Sequence, residues 1–119
     1  MIKKRDFGNI GEEYAAAYLV NQGYTILFQN WTVGHKEIDI IALHQHILVF
    51  IEVKTRRSSK FGNPEESVND KKAQAVVEAA QQFMAKTELT YKDIRFDIIA
   101  IILNQGQVKD FLHIQDAFY

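Results

Sequence analysis

Two strand-like segments, separated by only three residues, constrain the fold of this chain more than any other part of its sequence. The segments, 36–43 and 47–55, are rich in β-branched residues and alternate in polarity, so an antiparallel hairpin is the expected arrangement. The connecting residues His44-Gln45-His46 lack the Gly or Asn that two-residue turns favour. A wider or bulged loop, with an approximate register, therefore stays open as an alternative to a tight turn.

The pairing within this hairpin places four charged side chains together. If the midpoint lies between Gln45 and His46, Asp39 is opposite Glu52 and Glu37 is opposite Lys54. Because side chains alternate along a strand, all four are expected to project from one face. The other face would receive the apolar residues Ile38, Ile40, Ala42, Val49, Ile51 and Val53. A slip by one residue would send one strand's charges into this core, which the apolar pattern resists.

The remaining elements complete one domain, expected to span residues 1–119. Helices are predicted over 7–21 and 66–86, and further strands over 24–31, 94–103 and 108–114. The fold class is therefore α/β (α+β), a mixed sheet with αβββαβ order followed by a last strand, and with helices on both faces.

Each predicted helix has an apolar stripe and recognisable end signals. Gly23 is the expected stop of the first helix, whereas Asn63, Ser67 and Asn69 each fit the start of the second. The predicted stripes are Ile10, Tyr14, Ala17 and Tyr18 in the first helix and Ala73, Val76, Val77, Ala80, Phe83 and Met84 in the second.

Composition excludes several classes of protein and site. The sequence has no cysteine, which rules out disulfides and thiolate metal sites and fits a reducing cytoplasm. No apolar run approaches the ~18 residues of a membrane span, and the basic start leads into no apolar signal region. The net charge of −1 means that any nucleic-acid binding must come from a local patch.

A local basic patch follows the hairpin. Its positive residues are Lys54, Arg56, Arg57, Lys60, Lys71 and Lys72, against the acidic Glu65, Glu66 and Asp70. By itself this pattern also fits a solvated loop and helix start. Because the patch comes directly after Lys54, we expect Arg56, Arg57, Lys60, Lys71 and Lys72 to contact phosphates. Trp31 and Phe61 could stack on bases, but core packing of Trp31 and loop anchoring by Phe61 are the favoured interpretation.

The grouped carboxylates indicate a metal site more than a solvated face with cross-strand ion pairs. The two strands look like interior ones, where several carboxylates beside one ammonium are costly unless a cation shares the site. Carboxylate oxygens, together with a backbone carbonyl expected from Val53, are ligands that suit Mg²⁺. The histidines show no paired spacing beyond His44-x-His46, which we interpret as loop residues.

Motifs over roughly residues 8–103 carry a resemblance to a known family. They are Gly8-x-x-Gly11-Glu12, Gly23-Tyr24, Glu37-Ile38-Asp39, Phe50-Ile51-Glu52-Val53-Lys54-Thr55-Arg56, Lys72 and Arg95-Phe96-Asp97. With them the chain resembles the restriction-endonuclease-like nuclease superfamily. More closely, it resembles the YraN-like family of small bacterial proteins of uncharacterised function, and it is similar to the archaeal Holliday-junction resolvases.

The resemblance implies a catalytic site made of Glu12, Asp39, Glu52 and Lys54. Asp39 and Glu52 match the metal-binding carboxylates, Lys54 matches the lysine of the nuclease motif, and Glu12 matches the first-helix glutamate that completes the metal site. One position departs from the family, which usually has Gly directly before Glu-Ile-Asp. Here that residue is Lys36, so the loop is expected to sit differently and to add a positive charge.

The function implied by the resemblance is a Mg²⁺-dependent (or Mn²⁺-dependent) endonuclease that acts on branched or structured DNA. Two alternatives stay open: a nucleic-acid-binding module with the nuclease fold and little or no cleavage, and an interaction domain whose acidic site is vestigial. A homodimer is a possible assembly, since a four-way junction has two-fold symmetry. The candidate dimer surfaces are Phe111-Leu112, Phe118-Tyr119 and the first helix.

Overall fold

The computed structural model describes residues 4–57 and 69–118, and of residues 4–7 it describes only the backbone. The elements follow the order αβββαββ, which confirms the predicted fold class. Their bounds are α1 (Lys4–Asn21), β1 (Thr25–Val33), β2 (Lys36–His44), β3 (Ile47–Arg56), α2 (Asp70–Lys86), β4 (Asp93–Asn104) and β5 (Gln107–Ile114). Most of the predicted loop over 56–64, with Lys60 and Phe61, lies outside the described residues.

The five strands form one mixed sheet in the order β1-β2-β3-β4-β5. β3 and β4 are parallel, and every other neighbouring pair is antiparallel. The predicted register of the β2–β3 hairpin is confirmed, because Ile40 pairs with Ile51 and His44 pairs with Ile47. The apolar pattern of both strands therefore fixed the register without help from a favourable turn sequence.

The β2–β3 turn is tight although its residues are unusual for such a turn. Gln45 and His46 both have positive φ angles, of 50° and 69°. This is the left-handed backbone that the central residues of a type I′ hairpin turn adopt, and it favours Gly and Asn over larger residues. The wider loop that we left open is therefore not formed.

The two helices cover opposite faces of the sheet, as predicted. Buried residues of α1 pack with one cluster from the sheet, which comprises Ile40, Ala42, Val49, Ile51, Val53, Ile99 and Ile101. Buried residues of α2 pack with a second cluster from the sheet, which comprises Ile38, Ile41, Leu48, Phe50 and Phe96. Trp31 is partly buried against α2, with its ring 5.4 Å from that of Phe83, so core packing of Trp31 is confirmed.

Two details of the helices differ from the predictions. α2 begins at Asp70 rather than near Glu66, because Asn69 is the N-cap and its Oδ1 accepts a hydrogen bond from the backbone N–H of Lys72. The predicted stripe of α1 is wrong for Tyr14, which is 42% exposed, and for Ala17, which is also exposed, whereas Tyr18 packs against the cluster on that face. The buried side chains are Ala15, Ala16 and Leu19. Small residues bring the helix backbone close to the sheet, and this leaves the larger Tyr14 at the rim, beside Phe111.

A second departure concerns the two faces of β2. Ile38 packs against α2 and Ile40 packs against α1, although we expected both on one face. The alternation of side chains is therefore broken at Asp39. The cause lies on β1, where Asn30 stands opposite Asp39 with a φ angle of 53°, between the regular pairs Trp31–Ile38 and Gln29–Ile40. Asn is among the residues that tolerate this left-handed conformation.

Asp97 forms a buried polar network on the α1 face, at the Arg95-Phe96-Asp97 motif. Its carboxylate accepts hydrogen bonds from Arg95 Nε and Nη2 at 2.8 and 2.9 Å, from His113 Nε2 at 2.8 Å and from the Asp116 N–H at 3.1 Å. Arg95 also donates to the hydroxyl of Tyr24. The network therefore ties β4 to β5 and to the end of α1.

Within the described residues neither helix is long and apolar enough to cross a membrane.

The hydrogen bonds decide the charge of Asp97. Burial alone would raise the pKa of Asp97, but the bonds from His113, Arg95 and the Asp116 N–H outweigh burial and hold the pKa below its usual value of 3.8. Asp97 is therefore a fully paired carboxylate with a structural role.

We predict that Asp97→Asn lowers the free energy of unfolding at pH 7 by roughly 3 kcal/mol, because it leaves the buried guanidinium of Arg95 without its counter-charge. Urea denaturation measures this, with the exposed residue Asp93 changed to Asn as the control. The stabilisation that Asp97 contributes is complete at pH values above the pKa of Asp97 in the unfolded chain. It is lost as the pH falls through the lower pKa of Asp97 in the folded protein. Wild-type stability should therefore decline below about pH 4 more steeply than that of the variant. Parallel curves would contradict this role.

Candidate functional site

The site lies where the central strands β2 and β3 separate. Their regular pairing ends at Ile40–Ile51, although both strands continue further. Beyond that pair, Asp39 Oδ2 accepts a hydrogen bond from the backbone N–H of Val53 at 2.8 Å. Asp39 therefore replaces a main-chain partner at the point of separation and is fixed there. Val53, which we expected to offer a carbonyl oxygen, is held through its N–H.

Helix α1 brings Glu12 to Asp39 because Gly11 lets the helix approach β3 closely. A Cβ atom placed on Gly11 would collide with Oγ1 of Thr55, and it would also lie 3.0 Å from Thr55 Cβ. Gly11 is buried, and its neighbour Glu12 is half-buried. The glycine therefore sets the distance between the helix and the sheet, and with it the position of the glutamate.

Glu37 joins Glu12 and Asp39 in one acidic cluster, which we call the carboxylate triad. One carboxylate oxygen from each of the three residues lies within 4.8 Å of the others. With its amide nitrogen facing the carboxylates, Asn30 donates hydrogen bonds to Glu12 Oε2 and Glu37 Oε1, both at 3.1 Å. The irregular position on β1 thus supports the triad directly.

Glu37 and Asn30 are the residues that our interpretation of the sequence left out of the site. For Glu37 the signal was available, because the predicted hairpin already placed it beside Asp39 and opposite Lys54. For Asn30 no local pattern marks the left-handed backbone. Its position could be inferred only from the break in alternation at Asp39.

Two of the triad residues, Glu12 and Glu37, resist ionisation. Burial, followed by the charge of Asp39, raises the pKa of Glu12 to about 7, although the hydrogen bond from Asn30 acts in the opposite direction. Burial and the charge of Asp39 also raise the pKa of Glu37, while Lys72 lowers it. Each raised pKa reports a carboxyl group with too little positive charge nearby.

Glu52 is the most deeply buried charged side chain of the site. It is 1% exposed, and within the described part of the chain neither carboxylate oxygen has a hydrogen-bond partner. It forms an ion pair with Lys72 of α2, whose Nζ lies 3.5 Å from Oε2. Burial and the charge of Asp39 raise the pKa of Glu52 to about 8, even though Lys72 and Lys54 lower it. A buried carboxylate without a hydrogen bond is rare in a folded protein.

Lys54 extends from the end of β3 toward the same group of charges. Burial and repulsion from Lys72 lower the pKa of Lys54, while Glu52 and Asp39 act in the opposite direction. The ammonium of Lys54 is therefore within electrostatic range of both predicted metal-binding carboxylates. A lowered pKa also makes its neutral amine more accessible.

The structure brings Glu12, Asp39, Glu52 and Lys54 into one interacting group, but not as the single flat face that we expected. They come from α1, β2 and β3 and meet where β2 and β3 separate. The basic patch is placed only in part, since Lys60 lies outside the described residues. Lys72 contacts Glu52, and Arg56 is close enough to influence the pKa of Lys54.

The other basic side chains lie nearer to solvent. Arg57 and Lys71 are exposed, at the end of β3 and in the first turn of α2. Lys36, the departure from the family pattern, forms an ion pair with Glu78 of α2, with its Nζ 3.4 Å from Oε2. Its charge is therefore at least partly used in joining β2 to α2.

The donor set fits a hard divalent cation. The triad offers three carboxylate oxygens within reach of one small ion. All of these donors are oxygen, which Mg²⁺ and Mn²⁺ accept and which zinc sites rarely use alone. Glu12 and Asp39 of the predicted metal-binding set are thus close together, with Glu37 as the third carboxylate. Glu52 is outside this close group but within electrostatic range of Asp39, so its carboxylate could join the ligand set.

The architecture places the chain in a class of proteins. A five-stranded mixed sheet between two helices, with carboxylates where central strands separate, is consistent with the restriction-endonuclease-like α/β fold. The model of the uncharacterised protein family UPF0102 matches residues 11–101. The chain belongs to this family, which is the YraN-like family that its motifs resemble.

Several relatives are similar over the full length. A UPF0102 protein of Phocaeicola vulgatus is 42% identical, with 100% of this chain and 97% of the relative covered. The UPF0102 protein TTE1452 of Caldanaerobacter subterraneus is 41% identical, with 98% of each chain covered. A UPF0102 protein of Dictyoglomus turgidum is 38% identical, with 98% of this chain and 100% of the relative covered. These similarities establish family membership.

We predict that Gly11→Ala destabilises the protein by about 1–3 kcal/mol, because the new methyl group forces α1 away from Thr55. Urea denaturation measures the loss. Gly8→Ala in the same helix is the matched control, since a Cβ there meets nothing within 4 Å. The control should be stabilising by up to about 1 kcal/mol. If Gly11→Ala is as harmless as Gly8→Ala, then close packing of α1 does not position Glu12.

We also predict that the Glu52→Gln variant gains stability relative to wild type as the pH rises from about 4.5 to 8 in the presence of EDTA. In this window the folded protein keeps the proton of Glu52 whereas the unfolded chain releases it, so the carboxyl group destabilises the fold increasingly with pH. The change should reach roughly 1–3 kcal/mol. Denaturation at pH 5 and pH 8.5 measures it, with Glu88→Gln at an exposed position as control. A pH-independent difference would refute the raised pKa.

Proposed function

We propose that this protein is a metal-dependent endonuclease that hydrolyses phosphodiesters in branched or structured DNA. The observation that carries the proposal is the close group of Glu12, Glu37 and Asp39, with the buried carboxylate of Glu52 and the ammonium of Lys54 both within electrostatic range of Asp39. Buried carboxylates without hydrogen bonds are costly to a fold, and a cation that binds between them removes the cost. Retention of such a group supports a chemical role.

The residues of the site would have different roles in phosphodiester hydrolysis. Asp39 and Glu52 would hold Mg²⁺ or Mn²⁺, and Glu12, with Glu37 beside it, would complete the ligand set or orient a water molecule. The bound ion would supply Lewis-acid polarisation of the scissile phosphate and a more acidic water. Lys54 would orient the attacking water or stabilise the negative charge that develops on the phosphorus centre.

The basic side chains around this group would bind the flanking phosphates. Arg56, Arg57, Lys71 and Lys72 surround the end of β3 and the start of α2, and Lys60 belongs to the same segment of sequence. Contacts to phosphates carry no base readout, so binding should be salt-dependent and largely independent of sequence. This fits recognition of the shape of a branched molecule.

The substrate class and the setting of the reaction follow from the sequence motifs and the composition. A preference for branched DNA is supported by the motifs shared with junction resolvases. Such a substrate would call for a homodimer, because a four-way junction has two equivalent cleavage positions. The absence of cysteine fits action in a reducing cytoplasm.

The proposal predicts that the protein cleaves a labelled four-way junction or flap DNA in Mg²⁺ or Mn²⁺, and that Glu52→Gln lowers the rate by at least about a hundredfold, a typical loss for removal of a catalytic group. Gel electrophoresis of the products measures cleavage, and a gel-shift assay in EDTA measures binding. Glu88→Gln, at an exposed glutamate just after α2, is the matched control and should cleave like wild type.

The two assays together separate the proposed enzyme from a binding module. Loss of cleavage in Glu52→Gln with binding intact supports the enzyme. If wild type and variant bind DNA equally and neither cleaves any of these substrates, the protein is instead a nucleic-acid-binding module with the nuclease fold. Linear duplex DNA of the same length tests the preference for branches.

A further inference from the structure

Lys72 stands out because its position does not match that of a phosphate-binding side chain. Its Nζ lies 3.5 Å from Oε2 of Glu52, a carboxylate that is 1% exposed, while the side chain of Lys72 itself is 44% exposed. One end of the ion pair is therefore in the protein interior and the other reaches solvent. A lysine that only gripped DNA would have no reason to point at a buried glutamate.

The geometry of the contact indicates a counter-ion rather than a fixed structural pair. At 3.5 Å the two atoms are close enough for strong attraction, yet neither oxygen of Glu52 forms a hydrogen bond. A buried ion pair that stabilises a fold normally has its hydrogen bonds satisfied. The ammonium of Lys72 therefore attracts the carboxylate of Glu52 without a hydrogen bond that would hold it in place.

The backbone of Lys72 is fixed while its side chain can move. The N–H of Lys72 donates to the side chain of the N-cap residue Asn69 at 2.9 Å, which anchors the first turn of α2. Beyond the Cα atom, four methylene groups carry the ammonium and can turn it outward to solvent. Lys72 also acts on the pKa of Glu37 and of Lys54, so its charge reaches the whole site.

We propose that Lys72 is a built-in competitor of the divalent ion: its ammonium pairs with ionised Glu52 while the site holds no metal, and it leaves that carboxylate when the ion binds. The inference rests on the proposed function, since it assigns a metal to Glu52. Lys72 follows the exposed Lys71 in the first turn of α2, so the displaced ammonium would turn toward solvent, where a DNA phosphate would receive it. Metal binding and DNA binding would thereby favour each other.

The first test measures the pair without metal. Lys72→Met, Glu52→Gln and the double variant are unfolded in urea at pH 9 with EDTA. Lys72→Met should raise the unfolding equilibrium constant about fivefold or more in the wild-type background and less than about twofold in the Glu52→Gln background, because only an ionised Glu52 needs the ammonium. Equal effects in the two backgrounds would overturn the proposal.

The second test measures competition directly, by titration of Mn²⁺ with calorimetry or electron paramagnetic resonance in the absence of DNA. Lys72→Met should bind Mn²⁺ about three- to tenfold more tightly than wild type, since a competing positive charge is removed. Lys71→Met is the matched control: it removes the same charge from the adjacent exposed position and should change the affinity less than about twofold. Equal or weaker Mn²⁺ binding by Lys72→Met would overturn the proposal.

The two tests distinguish failure of this inference from failure of the nuclease proposal. Tighter Mn²⁺ binding by Lys72→Met, in a wild-type protein that cleaves no DNA, supports the competition and counts against the enzyme. Cleavage by wild type combined with unchanged Mn²⁺ affinity in Lys72→Met supports the enzyme and counts against the competition. If wild type binds no Mn²⁺, both proposals fail.

Discussion

The rest of this sheet depends on how the buried carboxylate of Glu52 is neutralised. Glu52 lies on the central strand β3, between residues that pack into the core, and its oxygens have no hydrogen bonds. The negative charge of Asp39 makes the position less favourable still. A proton, a lysine ammonium or a divalent cation can each relieve this cost. A fold built only for stability would have placed an apolar residue here, so the position indicates a chemical use.

Several features of the backbone accommodate this group of charges. β2 and β3 end their pairing early, and the carboxylate of Asp39 takes the place of the missing main-chain partner. On β1 the left-handed residue Asn30 disturbs the regular alternation and supplies the hydrogen bonds to Glu12 and Glu37. On α1, Gly11 allows the helix to approach the sheet. Each of these irregularities lies beside the site, where departures from ideal geometry are expected.

Much of the fold could be predicted from the sequence because apolar periodicity carries the information. The register of the β2–β3 hairpin followed from the alternation alone, although Gln45 and His46 are poor turn residues. The face of the sheet on which Ile38 lies could not be predicted in this way, because we attribute the break in alternation to Asn30 on the neighbouring strand β1. The buried face of α1 was also misjudged: small residues bury completely while the large Tyr14 remains at the rim.

The candidate site was predicted as a set of residues more accurately than as an arrangement. Glu12 could be found through the family resemblance but not from local pattern, since its contact with Asp39 joins α1 to β2. The position of Lys72 beside Glu52 depends on where α2 begins, and Asn69 was only one of three possible caps in the sequence. Contacts of this kind depend on how the helices and strands pack against each other, and they produce no periodic pattern in the sequence.

The parallel pairing of β3 with β4 has a consequence for how the molecule assembles. The three strands β1, β2 and β3 follow one another through tight hairpins, and so do β4 and β5, whereas Ile47 pairs with Asp93 across the whole of α2. Contacts between such distant parts of a chain form slowly. The strands that carry Glu37, Asp39 and Glu52 are joined by local pairings, whereas Lys72 belongs to the crossover between β3 and β4. The ammonium that pairs with Glu52 is therefore supplied by a segment whose position depends on the non-local pairing of the sheet.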